Sequence, residues 1–418
     1  MTPLIAADFF AGAGGLSLGF GQAGYRIAFA NELWPDYATT YQHNHPATAV
    51  FQADIKDLTA RHVFRVTGLA KNEVDVLIGG PPCQGFSINA PTRSTKDDRN
   101  QLFRHYGRLV LEGLRPKVIV MENVPGMLSL DSGRFVKAIY ALFESAGYHM
   151  QHMVLCAAHH GVPQERWRLF FIGTILKREI SFPQPTHYAP VRANFTGGRK
   201  LTWLPTVRDG TQAFGLFDQF LRPFTTVHDA IGDLPPLGVN EGNDETKYTL
   251  PARTSYQRLM REDSRILTNH VAGNLSPQNL RRLQHIPAGG SWRDIPPRLL
   301  PLGMQRARRS DHTRRYGRLD PNGLSGTILT KCDPHWGTFF HYDQDRTLTV
   351  REAARLQSFP DHYRFTGSRV SQYEQVGNAV PPLLAQTLAL HINRTLFDRD
   401  DQVSPNYLDE SRLTRQTA

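Results

Sequence analysis

Cys83 stands in Gly79-Gly80-Pro81-Pro82-Cys83-Gln84-Gly85-Phe86-Ser87, a segment stiffened by two prolines before the thiol and loosened by a glycine after it. A lone cysteine is usually a small buried hydrophobe. This one follows the apolar run Val74–Ile78, at the junction of a predicted strand with a loop, where exposure and a lowered pKa make a usable thiolate. A nucleophile is the favoured reading of Cys83, whereas Cys156 and Cys332 lack such a setting and read as inert. Glu122, in Glu122-Asn123-Val124-Pro125, closes the apolar run Lys117–Met121. A carboxyl group at the mouth of a buried strand loses water, which favours its protonated form and lets it donate a proton; capping is the alternative role. In Gln164-Glu165-Arg166-Trp167-Arg168, Arg166 and Arg168 share one face of an extended run and suit a base oxygen or a phosphate. The apolar continuation Leu169-Phe170-Phe171-Ile172 argues against a solvated edge strand there.

A further group has the chemistry of a nucleotide cradle. Gly12-Ala13-Gly14-Gly15 follows an apolar run and opens a helical pattern, so the backbone can approach a ligand closely and aim amides at its anionic end. Ser17 occupies the place of the third glycine of a dinucleotide fingerprint, which disfavours pyrophosphate and leaves room for a smaller nucleoside. Such a turn can equally be only a tight turn. Glu32, twenty residues after Gly12 at the end of the next run, is where an acid accepts ribose hydroxyls. Asp54 follows the third run; as single residues, Glu32 and Asp54 also suit helix caps or solvated charges.

These residues need a scaffold that brings them together. To about residue 174 short apolar runs alternate with helical patterns. Strands are predicted at Leu4–Phe10, Arg26–Asn31, Thr48–Gln52, Val74–Ile78, Lys117–Met121, His149–Leu155 and Arg168–Gly173. Helices are predicted at Leu16–Ala23, Pro35–Asn44, Gln101–Leu114 and Gly133–Ala146. This alternation specifies a doubly wound α/β sheet, whose ligands bind beyond the carboxyl ends of the strands, where every group above is found.

The 418 residues suggest two unequal lobes. No apolar run approaches the length that crosses a bilayer, and the N-terminus lacks the features of a secretory signal. Three dispersed cysteines make neither a disulfide framework nor a metal site, and a reduced, cytoplasmic setting is expected. The formal net charge of +10 favours an anionic partner. From 186 to about 345 the sequence turns loop-rich, and the window 251–318 holds fourteen arginines, no lysine and four acids, an excess equal to the whole chain's charge. Arginine is the residue that grips phosphates and guanine edges in bidentate fashion. A last helical pattern covers Val350–Gln357, and Gln375-Val376-Gly377-Asn378-Ala379-Val380-Pro381-Pro382 opens a final helix to about Asn393, before a polar tail at 399–418.

Taken in order, these segments resemble the motif series of the cytosine-C5 DNA methyltransferase family, through nearly the whole chain. Phe9-Phe10-Ala11-Gly12-Ala13-Gly14-Gly15 is similar to its cofactor loop and Pro81-Pro82-Cys83-Gln84 to its nucleophile loop. Glu122-Asn123-Val124 and Gln164-x-Arg166-x-Arg168 follow in the family's order. Arg351-Glu352-Ala353-Ala354-Arg355-Leu356-Gln357-x-Phe359-Pro360 resembles the motif supporting the target-recognition region, and Gly377-Asn378-Ala379-Val380 the last cofactor-contacting motif.

The resemblance implies a Rossmann-like α/β methyltransferase fold with a smaller loop-rich target-recognition domain. It divides the chain into a catalytic domain at 1–185 completed by 375–395, recognition at 186–345 and a connecting motif at 346–374. It implies S-adenosylmethionine as cofactor, contacted by Phe10, Gly12, Gly14, Glu32, Leu33, Asp54, Pro82, Leu102, Asn378 and Val380, and no metal. It further implies a flipped-out cytosine attacked at C6 by Cys83 and protonated by Glu122, with Asn123 fixing the loop and Arg166 and Arg168 orienting the base and its phosphate. Gln84, Ser87, Arg293, Arg314 and Arg315 are the implied contacts to double-stranded DNA. A monomer with a functional link to a restriction endonuclease is expected. Two rivals remain: a transfer-RNA cytosine methyltransferase, disfavoured by the large arginine-rich lobe, and a non-catalytic DNA-binding relative, disfavoured by intact Cys83 and Glu122. A dehydrogenase is disfavoured by Ser17.

Overall fold

A computed structural model of the chain describes residues 2–81, 102–191, 193, 221–310 and 314–399. Through them run β1 (Ile5–Phe9), α1 (Gly15–Gln22), β2 (Arg26–Glu32), α2 (Pro35–Asn44), β3 (Ala49–Gln52), α3 (Ala60–Thr67), β4 (Val76–Gly79), α4 (Leu102–Leu109), β5 (Val118–Asn123), α5 (Arg134–Glu144), β6 (His149–Cys156) and β7 (Trp167–Thr174). These seven strands form one sheet in the order β3-β2-β1-β4-β5-β7-β6. The first five are parallel to one another, and β7 runs antiparallel to both β5 and β6. Near-continuous apolar segments such as Ile5-Ala6-Ala7 and Val118-Ile119-Val120-Met121 are what a sheet covered on both faces demands, and all of those residues but the half-buried Ile5 are almost wholly buried. The fold is thus the Rossmann-like, doubly wound α/β sheet.

Helix α3 was not expected. Its Ala-Arg-His-Val-Phe-Arg-Val-Thr sequence is poor in helix formers, and it is set by Thr59, whose hydroxyl accepts the His62 amide, and by Gly68 in the left-handed region at φ 70°.

The chain divides into two compact units. Among described residues, the first takes in the sheet, the segment to Pro223 and the chain from Val380; the second comprises Val162–Arg166 and Phe224–Ala379. By this division residues 346–379 fall in the second unit.

The first unit also holds the short pair β8 (His187–Tyr188) and β9 (Arg222–Pro223). The second unit is built from α6 (Val227–Ile231), β10 (Gly242–Thr246), α7 (Ser255–Arg261), β11 (Leu267–Val271), α8 (Pro277–Leu283), β12 (Gly317–Arg318), β13 (Thr338–Phe340), α9 (Val350–Leu356) and α10 (Arg369–Asn378). The helix expected to run on from Gln375 instead stops at Asn378. Ala379 and Pro381 are extended (ψ 150° and 125°), and Pro382 starts a new helix, α11 (Pro382–Phe397), in the first unit. Paired prolines lack the amides an unbroken helix needs, and the residue before a proline is driven out of the helical region. Helix α11 lies so close to α1 that any side chain at Gly19 would strike Ala385 and the Pro382 carbonyl.

Candidate active site

The register of the parallel strands builds the site. Phe9 pairs with both Asn31 and Gly79, and Gly79 pairs with Met121, so the next residues, Phe10, Glu32, Gly80 and Glu122, form a row along one edge of the sheet. Strands lie about 4.8 Å apart, so the whole row spans little more than one small ligand.

Phe10 takes φ 57°, a left-handed conformation rarely adopted by a bulky residue, and leads into Gly12 (φ 59°) and Gly14 (φ 91°). Gly14 caps α1, and nothing lies within 4 Å of where a Gly12 side chain would begin, so the loop leaves open space against the backbone. The Glu32 carboxylate ties this loop to the next strand: Oε2 accepts the Gly12 amide at 2.7 Å and Oε1 the Trp34 amide at 2.9 Å. Burial raises its pKa and these amides oppose the rise. Glu32 is therefore no helix cap, since the cap position of α2 is Trp34. Beyond it Leu33 and Trp34 expose apolar surface, 49% and 61% respectively. Asp54 closes a turn by accepting the Lys56 amide at 3.0 Å. An open glycine turn, a carboxylate with lone pairs to spare and an exposed apolar shelf together fit a nucleoside such as S-adenosylmethionine.

At the other end of the row, Arg168 Nε lies 2.8 Å from Glu122 Oε1, and each side chain is only 13% exposed. Burial pushes the Arg168 guanidinium below its ordinary pKa, against the pull of Glu122. Gly80 passes so near that a Cβ there would sit 3.1 Å from Glu122 Oε2, which explains a glycine at that turn. Asn123 donates from Nδ2 to the Pro81 carbonyl at 3.1 Å and accepts the Val124 amide on its side-chain oxygen. The segment leading to Cys83 is thereby fastened to the strand that carries Glu122. Pro82, Cys83, Gln84 and Ser87 lie outside the described residues, and Leu102 opens α4.

One expectation is corrected. Arg166 does not share the role of Arg168. It is fully buried, and its guanidinium donates to the carbonyls of Ile328 (3.2 Å), Gly377 (2.8 Å) and Ala379 (2.9 Å). A guanidinium committed to three main-chain acceptors holds backbone, not a base or a phosphate. Asn378, exposed at the end of α10, falls in the second unit, and the buried Val380 in the first.

Sequence reasoning missed a chain of polar groups beneath the glycine loop. Asp8, fully buried in β1, accepts the Ser17 hydroxyl at 2.7 Å, and Ser17 in turn accepts the Tyr41 hydroxyl at 2.6 Å. Burial, with the nearby Glu32 charge adding to it, pushes the Asp8 carboxyl up to about 7, while Ser17 opposes. The signal was available: a single acid inside the apolar run Ile5–Phe9 must have an internal partner.

In the second unit the arginines divide. Arg355, on α9, pairs with Asp361 (2.6 Å) and Asp233 (2.9 Å), all fully or nearly fully buried. Arg346 grips Glu352 through two bonds, and although burial alone would raise that carboxyl, Arg346 holds it well below the carboxylate range. Arg351 donates to the carbonyls of Thr268, Pro360 and Tyr363. Of the expected DNA contacts, Arg293 donates to the Arg309 carbonyl and Arg314 pairs with Glu165 at 2.7 Å, while Arg315 lies over the Trp336 ring.

The family model for C-5 cytosine-specific DNA methylase matches residues 5–394. The chain is 36% identical over 384 residues to the Type II methyltransferase M1.HphI of Haemophilus parahaemolyticus, covering 91% of this chain and 84% of that protein. It is 34% identical to M.AgeI of Thalassovita gelatinovora, covering 91% and 97%. Among solved structures, a DNA modification methyltransferase encoded within an E. coli prophage superposes with a TM-score of 0.68 at 26% identity, covering 94% of this chain and 99% of the other.

Proposed function

The chain belongs to the C-5 cytosine-specific DNA methylase family and is a DNA (cytosine-5)-methyltransferase, and from that premise we propose how its residues divide the work. Phe10, Gly12, Gly14, Glu32, Leu33 and Asp54 hold S-adenosylmethionine, with Pro82, Leu102, Asn378 and Val380 completing the set. Bound there, the cofactor supplies an electrophilic methyl group. The cytosine enters flipped out of the duplex, since C5 and C6 are shielded within the stack.

The Cys83 thiolate adds to C6, forming a carbon–sulfur bond and sending the ring electrons toward N3. Glu122, entering the step protonated, donates its proton to N3 and faces the exocyclic amine, which offsets the developing charge and leaves C5 nucleophilic. In the free enzyme Glu122 is paired with Arg168. We infer that the base itself loosens this pair and that Arg168 then turns to the base. After methylation, loss of the C5 proton to a base and expulsion of the Cys83 sulfur restore the ring. The observation that carries this assignment is the Glu122–Arg168 pair with the Gly80–Pro81 turn fastened against it, because the loop that bears the thiol then begins at the acid.

The second unit carries target recognition, supported by its exposed arginines, and the likeness to Type II enzymes supports a functional link to a restriction endonuclease. The test is to supply labelled S-adenosylmethionine with duplex DNA and, separately, transfer RNA, and to map the modified base. Label on C5 of cytosine at one duplex sequence is expected; label on RNA alone would overturn the assignment.

A further inference from the structure

Within the second unit, one arginine differs from its neighbours. Arg314 is neutralised by Glu165, Arg318 donates to the His341 and Tyr342 carbonyls and to Asp345, and Arg293 is tied to the Arg309 carbonyl. Arg315 has no carboxylate partner among the described residues. Its guanidinium lies 4.9 Å from the centroid of the Trp336 ring, and that indole is 56% exposed.

The stack is a consequence of backbone register. Strands β12 and β13 are parallel, with Gly317 opposite Thr338, so Arg315 and Trp336 each stand two residues before the pair. The two approaches are bonded together: the Tyr316 amide donates to the Pro334 carbonyl at 2.7 Å, and the Gly317 amide to the Gly337 carbonyl at 3.2 Å. A side chain at Gly317 would collide with Thr338, so the strands can close only around a glycine. Trp336 is braced from behind. His335 meets it edge-on at 5.0 Å and also meets Tyr316 edge-on, and Tyr316 belongs to the unit's apolar core. The Asp333 carbonyl accepts the Trp336 amide at 3.0 Å.

A surface arginine ordinarily loses much side-chain freedom when it binds. Here the guanidinium already lies over an aromatic face, and no carboxylate among the described residues neutralises it. A flat guanidinium of this kind matches the paired acceptors that guanine presents in the major groove. We propose that Arg315 reads a guanine in the recognised duplex sequence and that Trp336 is the residue positioning it. This rests on the assignment of the second unit to target recognition.

The experiment offers a random-sequence duplex pool with labelled S-adenosylmethionine to the full chain and to Arg315→Ala, Trp336→Ala and Trp336→Phe, and maps the sequence around each methylated cytosine. Selectivity is a ratio within one sample, so it does not depend on how much of a variant folds. Arg315→Ala and Trp336→Ala are expected to relax one and the same G·C position by about tenfold or more, other positions staying fixed, while Trp336→Phe keeps it. An even loss of transfer over all sequences would make Arg315 a phosphate contact and overturn the proposal, as would unchanged selectivity or relaxation at two different positions. Failure of the wild-type chain to choose among duplex sequences would instead remove the assignment of the second unit.

Discussion

Along the sheet edge of the first unit, a residue's work follows from its place: Phe10, Glu32, Gly80 and Glu122 stand in one row at the carboxyl ends of β1, β2, β4 and β5. In the second unit one residue type does two opposite things. Arg282 is 6% exposed and donates to the Leu299 carbonyl and Asn279, whereas Arg281 beside it faces solvent. Arg346, Arg351 and Arg355 are fully buried, and Arg253, Arg265, Arg298 and Arg306 are exposed. A parallel sheet fixes function through topology, and an irregular unit held by guanidinium groups fixes it only through individual partners.

Several substitutions test that contrast. At the sheet edge, Cys83→Ser should abolish methyl transfer while sequence-specific duplex binding persists, as read by labelled transfer and gel shift. Glu122→Gln should slow transfer by about 10²–10⁴-fold, the usual worth of a positioned acid, and should also lower the melting temperature, because the largely buried Arg168 loses its carboxylate. In the second unit, Arg355→Ala removes the partner that buried Asp233 and Asp361 share, leaving them only Arg261 and Arg351, and should cost about 3 kcal/mol in denaturant unfolding. A smaller effect separates neighbours: Arg282→Ala should lose about 1–3 kcal/mol of stability. Arg281→Ala should leave stability alone and lower the salt dependence of duplex binding by about one ion. Equal effects of the two would erase the distinction between strut and contact.

The mildest test is acidity. Burial lowers the pKa of His45, His187 and His341 to about 4 and that of His160 to about 3, so these rings are neutral in the fold. An unfolded histidine takes up its proton near pH 6.5, so stability is complete above that value and falls as pH drops toward 4. Asp8 acts oppositely: raised to about 7, it favours the protonated fold and withdraws stability as pH rises to 7. Four histidines outweigh one aspartate, so the melting temperature should peak near pH 6.5 and fall steeply on acidification. A flat profile from pH 4 to 7 would contradict these burial assignments.

Much of the first unit was legible in the sequence because strand periodicity, glycine turns and the polar residues after them are local signals. All seven expected strands occur, with ends shifted by a residue or two. Arg166 was misread for a physical reason: alternation along a strand says which face a side chain takes, but not that carbonyls from residues 328, 377 and 379 converge on it. The Asp8–Ser17–Tyr41 chain stayed hidden because its partners come from three elements. The arginine excess was visible as charge, yet its division into struts and free forks depends on acids as distant in sequence as Asp233 and Asp361.

The central claim is that Cys83 forms a bond to C6 of a cytosine in duplex DNA. Duplexes in which cytosine is replaced by 5-fluorocytosine test it directly, because fluorine at C5 cannot leave as a proton and the adduct persists after methylation. A covalent complex that needs S-adenosylmethionine to persist, with the modified peptide mapping to Cys83, is predicted. Methyl transfer without any trapped complex, or attachment at Cys156 or Cys332, would contradict it.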